Sequence, residues 1–124
     1  MFNFIIKREK SEVAGRASKH WTDNLTSPYI SVYKDNVRYK FASKPILSKK
    51  QAIVFKKSLE VNITKALKQN GYLKIAQDGP YIEEALKEVG VVIPKDRMTG
   101  DVMFIEEDNN LFIYSPGMSR AKKL

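Results

Sequence analysis

The chain has no cysteine and a single histidine, His20. Disulfides, thiolate metal sites and a cysteine nucleophile are thereby excluded, as are a His-rich metal centre and a two-histidine relay. No apolar run approaches the roughly 18 residues that a membrane helix needs. The start, MFNFIIKREK, places apolar residues before charged ones, the reverse of a secretion signal. Phosphate loops are missing: neither G-x-x-x-x-G-K-[ST] nor G-x-G-x-x-G occurs. Acidic residues are also scarce, with 14 Asp and Glu against 22 Lys and Arg, a net charge of +8.

What is there is an ordinary globular composition, 43% hydrophobic and 29% charged over 124 residues. A fold of that size buries about two-thirds of its unfolded surface, enough for a core without staples. The sequence reads as one compact domain over residues 1–117 followed by a basic tail, 118–124, and as a cytoplasmic protein. Charge is polarised along it. Residues 1–76 carry sixteen Lys and Arg against five Asp and Glu; residues 77–117 carry three against nine. Such a pattern speaks to partners and association rates rather than to fold.

Phe2 to Lys7 alternates as a strand would. Residues 8–27 show no clean period and read as an irregular basic loop. Tyr29 to Phe41 reads as a hairpin around Asp35-Asn36, with Lys34 opposite Val37, Val32 opposite Tyr39 and Ile30 opposite Phe41. That face is mostly apolar and is expected to meet the core; Tyr29, Ser31, Tyr33, Arg38 and Lys40 share the other. Ser48 caps a helix over Lys49–Asn70 that stops at Gly71 and buries Ala52, Phe55, Leu59, Ile63, Ala66 and Leu67. A strand is expected at Tyr72–Ala76, then a short helix from Pro80 to Val89, then a short apolar run, Val91–Ile93. A second hairpin over Val102–Glu106 and Leu111–Ser115 is expected to place Met103, Ile105, Phe112 and Tyr114 on one face and Phe104 and Ile113 on the other. The expected class is α+β: a mixed or mainly antiparallel sheet with one long and one short helix packed on one face.

No catalytic residue stands out. His20 sits between Lys19 and Trp21 without a nucleophile that could be placed beside it. The carboxylates Glu83 and Glu84 suit the first turn of a helix, and Glu106 to Asp108 suit a hairpin tip. No metal or cofactor is expected, and the chain reads as a non-enzyme.

Three features point to a polyanion. The hairpin offers Tyr29, Tyr33, Arg38 and Lys40, rings to stack bases beside cations for phosphates. The long helix carries a row of Lys50, Lys57, Lys65 and Lys68. The loop and tail supply Arg8, Arg16, Lys19, Trp21 and Arg120. Each has a plain structural counterpart: a Tyr33–Arg38 cation–π pair, a solvated lysine face, a tryptophan anchoring its loop. The expected function is nucleic-acid binding, to DNA or RNA. The alternative is an inhibitor or adaptor that docks on an acidic protein surface through Val54, Val61, Phe104 and Ile113. The charge polarity also permits head-to-tail self-association.

Overall fold

The computed structural model describes the backbone of residues 2–124 and the side chains of residues 9–124. The class is α+β, with three helices and two separate antiparallel sheets. Phe2–Thr26 is one helix, α1, where a strand over 2–7 and a loop over 8–27 were expected. Its buried face is Lys10, Val13, Ala14, Ala17, Ser18, Trp21, Thr22 and Leu25, mostly at a spacing of three and four residues. Alanine, serine and lysine fill many of those positions, so the helical period carries little hydropathy contrast. Trp21 is fully buried, and its indole N–H has no acceptor among the described residues. It contributes bulk to the core and is not a mobile stacking group.

The second helix, α2 (Lys49–Asn70), forms as expected. Ser48 and Gln51 make a reciprocal capping box, and Gly71 closes the helix at a φ of 80°. Phe55, Leu59, Ile63, Ala66 and Leu67 are buried along it. The two long helices run antiparallel: Lys10 reaches Gly71, Gly15 faces Glu60, and Leu25 meets Ile46 and Leu47. At Gly15 a Cβ would sit 3.0 Å from the Glu60 Oε1, the end of a flexible side chain, which places α2 directly across from this face of α1.

Helix C-termini leave carbonyls without partners, and here both long helices are finished by buried cations. Lys10 is 6% exposed, and its Nζ donates to the carbonyls of Gly71 and Glu107, both at 2.9 Å. Arg97 is 4% exposed; its Nη2 donates to Asn24 O at 3.1 Å and its Nη1 to Ser27 O at 3.5 Å. The backbone amides of Ile46 and Leu47 take Leu25 O, and that of Ser27 takes Asp23 O. Positive charge at these ends also suits the helix dipole. Arg97 sits on a single 3₁₀ turn, Lys95–Arg97, inside what the sequence presents as a polar loop. Gln77, itself buried, shapes that loop: its Oε1 accepts from the amides of Thr99 and Gly100, and its Nε2 donates to Arg97 O at 3.4 Å.

The four-stranded sheet has the order β3 (Leu73–Ala76), β4 (Val102–Ile105), β5 (Leu111–Tyr114), β6 (Lys122–Lys123). The C-terminal tail therefore supplies an edge strand. Helix α3 (Pro80–Lys87) buries Ile82, Ala85 and Leu86. Val91–Ile93 forms no strand; Ile93 is apolar because it packs into the core. The β4–β5 register differs from the expected one. Ile105 opposes Leu111 and Met103 opposes Ile113, so Met103, Ile105, Leu111 and Ile113 are the buried face. The loop holds three residues rather than four: Glu106 pairs with Asn110, and Asn109 turns the chain at a φ of 68°. One residue of slip exchanges the faces. Among the described residues, no helix is long and apolar enough to cross a membrane.

If Arg97 is the cap that closes α1, then Arg97→Met strands two carbonyls and should lower stability by about 2–4 kcal/mol. Urea unfolding is the measurement. Lys19→Met, at an exposed ion pair, should change it by less than about 1 kcal/mol.

Candidate nucleic-acid interface

β1 (Tyr29–Lys34) and β2 (Val37–Ala42) form a two-stranded sheet of their own. The register is the one read from the sequence, from Tyr29 opposite Ala42 to Lys34 opposite Val37. Asp35 and Asn36 both have positive φ, 51° and 63°, the geometry that matches strand twist in a two-residue hairpin. The facing is the reverse of the expected one. Val32, Val37, Tyr39 and Phe41 are exposed, with Tyr39 at 48% and Phe41 at 54%. The helices and the larger sheet already close the core, and the hairpin turns its other face toward the body.

Two points dock it. At its base, Ser27 O accepts from the Arg97 Nη1, and Leu25 O accepts from the amides of Ile46 and Leu47. At its tip, Asn36 N donates to Gly117 O at 2.8 Å and Ser119 N donates to the Asn36 Oδ1. Gly117 lies under the hairpin backbone at a φ of 95°, and a Cβ there would fall 1.9 Å from Tyr33 O. Only glycine tolerates both the angle and the approach.

Between hairpin and body lies an open cleft of about 310 Å³. Tyr29, Ser31, Tyr33 and Arg38 line it from the hairpin; His20, Asp23, Asn24 and Ser27 line it from the end of α1. Asp101, Ile113 and Ser115 form its floor, and Met118, Lys122 and Leu124 close the side. Arg38 is steadied by its Nε donating to the Ser31 Oγ at 3.0 Å. Asp101 is 7% exposed and accepts from the Ser115 Oγ at 2.6 Å. The His20 ring meets Trp21 edge-on at 5.8 Å. Burial lowers the His20 pKa below 6.5, against the raising influence of Asp101 and Asp23, while Lys19 lowers it further.

The residues singled out from sequence are partly gathered. Tyr29, Tyr33 and Arg38 converge on the cleft, with Lys40 on the same hairpin. Arg16 donates to Leu124 O at 3.0 Å, and Lys19 pairs with Asp23 at 2.6 Å. Lys50, Lys57, Lys65 and Lys68 are exposed on α2 with Val54 and Val61, opposite its buried face. Lys65 shares a groove with Glu84 of α3. At 100° per residue, His20 and Asn24 lie about 140–180° around α1 from Gly15, which faces α2. The cleft and the α2 ridge are thus on opposite flanks of α1. Arg120 is exposed in the tail, and the side chain of Arg8 lies outside the described residues. Of the apolar candidates, Phe104 is exposed, whereas Ile113 is buried on the floor of the cleft and not part of a flat protein-docking surface.

Asn24, Asp101, Ser115 and Lys122 were missed. Nothing local marks them; they meet through strand pairing and the end of α1.

Gly117→Ala should undock the hairpin tip and lower stability by about 1–3 kcal/mol, with a loss of amide protection in β1 and β2 seen by hydrogen exchange. His20 gives a pH dependence. Between its lowered folded pKa and the unfolded value of 6.5, the unfolded chain holds more protons, so stability should fall as pH drops through that window. His20→Gln should flatten this part of a melting-temperature profile against pH. No protein-family model, curated protein or solved structure matches this chain.

Proposed function

We propose that the protein binds single-stranded nucleic acid, without catalysis, on the β1–β2 hairpin. The supporting observation is the exposure of Tyr39 and Phe41 on the outward face of a ribbon that carries Lys34 on that face and Tyr29, Arg38 and Lys40 on the other, with Asp35 the only acidic residue between 29 and 44. Aromatic rings among cations stack bases of any sequence while the cations meet phosphates. A single strand suits the rings better than a duplex, whose base faces are already stacked. The α2 lysines add long-range attraction for a polyanion but, across α1 from the cleft, act as a second and non-specific contact.

Fluorescence anisotropy with a labelled oligonucleotide of about 15 nucleotides tests this. Affinity should fall with salt, the logarithmic slope being about −0.7 per phosphate contacted. Tyr39→Ala and Phe41→Ala should each weaken binding by about 1–3 kcal/mol with stability unchanged within about 0.5 kcal/mol. Arg38→Glu with Lys57→Glu should reduce both affinity and slope. No binding at low salt, or binding indifferent to both ring deletions, overturns the reading.

A second reading, docking on an acidic protein surface, is favoured by Ile53, Val54 and Val61, all exposed on α2 at 71%, 47% and 50%. Recovery of a partner after nuclease treatment, lost in Val54→Glu and kept in Tyr39→Ala, would select it.

A further inference from the structure

We propose that the cleft beneath the hairpin seats one nucleotide of the bound strand and selects a base that carries an exocyclic amino group. The inference rests on the reading of the hairpin as a single-strand platform. It is carried by the arrangement of unlike groups in one cavity. Cations stand at the rim and a buried carboxylate at the floor, with a tyrosine ring at the wall.

Arg38 is held by its Nε–Ser31 bond, which leaves the two Nη groups as donors on the cleft side. Lys122, on β6, faces the same space from the opposite wall. A guanidinium and an ammonium at one mouth form a phosphate seat. Tyr33 offers a ring beside them, and Ile113 on the floor with Met118 at the side adds apolar lining, suited to a base rather than to phosphate. At about 310 Å³ the space is of the order that ligand sites occupy.

Asp101 sets the selectivity. It is buried, and Ser115 takes its Oδ1. Among the described residues no donor reaches its Oδ2, and the residue lines the cleft. A carboxylate oxygen accepts and cannot donate. It therefore rewards the amino group of cytosine, adenine or guanine and repels the carbonyl that uracil or thymine presents in its place. Asn24, on the neighbouring wall, can both donate and accept and so adjusts to the rest of the base edge.

The test is a titration of the protein with CMP, AMP, GMP and UMP, followed by ¹H–¹⁵N correlation spectra. Ribose 5-phosphate and inorganic phosphate serve as controls. The amides of Asn24, Ser115 and Met118 should shift with the amino-bearing nucleotides, and UMP should bind about fivefold more weakly than CMP. Asp101→Asn, whose amide can donate, should erase or invert that difference. Lys122→Glu, at an exposed site, should weaken all four nucleotides at unchanged stability, and decides the matter if the Asp101 variant does not fold. Equal shifts for UMP and CMP, equal shifts for inorganic phosphate, or no shift at these amides each overturn the proposal. Oligonucleotide binding that survives such a result, and still depends on Tyr39 and Phe41, leaves the hairpin reading intact and removes the nucleotide seat alone.

Discussion

The burial of two cations against main-chain carbonyls is the constraint on which the rest of the structure depends. Lys10 and Arg97 are almost wholly removed from water, and each spends its hydrogen bonds on main-chain carbonyls, most of them at the end of a helix. Removing such a charge from water is costly, and carbonyl dipoles alone seldom offset it. Here three of the four carbonyls, those of Gly71, Asn24 and Ser27, lie at the ends of long helices, where orphan acceptors and the negative end of the dipole add together. Each cation thereby joins segments far apart in sequence. Lys10 fastens α1 to the end of α2 and to the β4–β5 turn. Arg97 fastens the end of α1 to the loop that Gln77 organises.

The second tie decides where the hairpin can go. Arg97 fixes Asn24 and Ser27, two residues before β1 begins, and the Leu25 carbonyl holds the chain as it returns at Ile46 and Leu47. Both ends of the hairpin segment are thus clamped at one point. The tip is clamped at a second by the backbone of Gly117. Between base and tip the ribbon spans the cleft, which it lines with Tyr29, Ser31, Tyr33 and Arg38. Its apolar side faces outward because the helices α1 and α2 already cover the core.

Much of this was legible wherever a local rule applies. The capping box at Ser48, the stop at Gly71, the proline-led α3 and the hairpin register from Asp35-Asn36 are all written in a few adjacent residues. The misreadings have one cause, the dominance of non-local packing over local pattern. In α1, small and polar residues occupy buried positions because α2 passes close by, and the helical period fades. In β4–β5, Asn109 in a left-handed conformation shortens the loop by one residue and exchanges Phe112 for Leu111 in the core. For the first hairpin the alternation was read correctly, but its facing depends on which element reaches the core first. The site was legible only in Tyr29, Tyr33 and Arg38, because Asp101 and Lys122 arrive from separate strands.

The polarised charge raises an objection to any polyanion partner, since nine acidic residues lie between 77 and 117. The fold answers part of it by distance. The acidic turn Glu106–Asp108 sits beside Lys10, through Glu107 O, and the hairpin leaves the other end of the same helix, after Thr26. Sixteen residues of helix separate those points by about 24 Å, more than two Debye lengths at physiological salt. A strand bound on the hairpin therefore feels the nearby lysines strongly and that turn weakly. Asp23 and Asp101 line the cleft and are close enough to matter there, and Asp96 lines a second groove against Ile30 to Tyr33. Asp23 is paired with Lys19, and Asp101 accepts from Ser115, leaving one carboxylate oxygen facing the cleft. That oxygen opposes a phosphate and favours an amino group, so a bound nucleotide must enter phosphate outward, toward Arg38 and Lys122, with its base toward Asp101. The orientation follows from the signs of the charges at the two depths of the cleft.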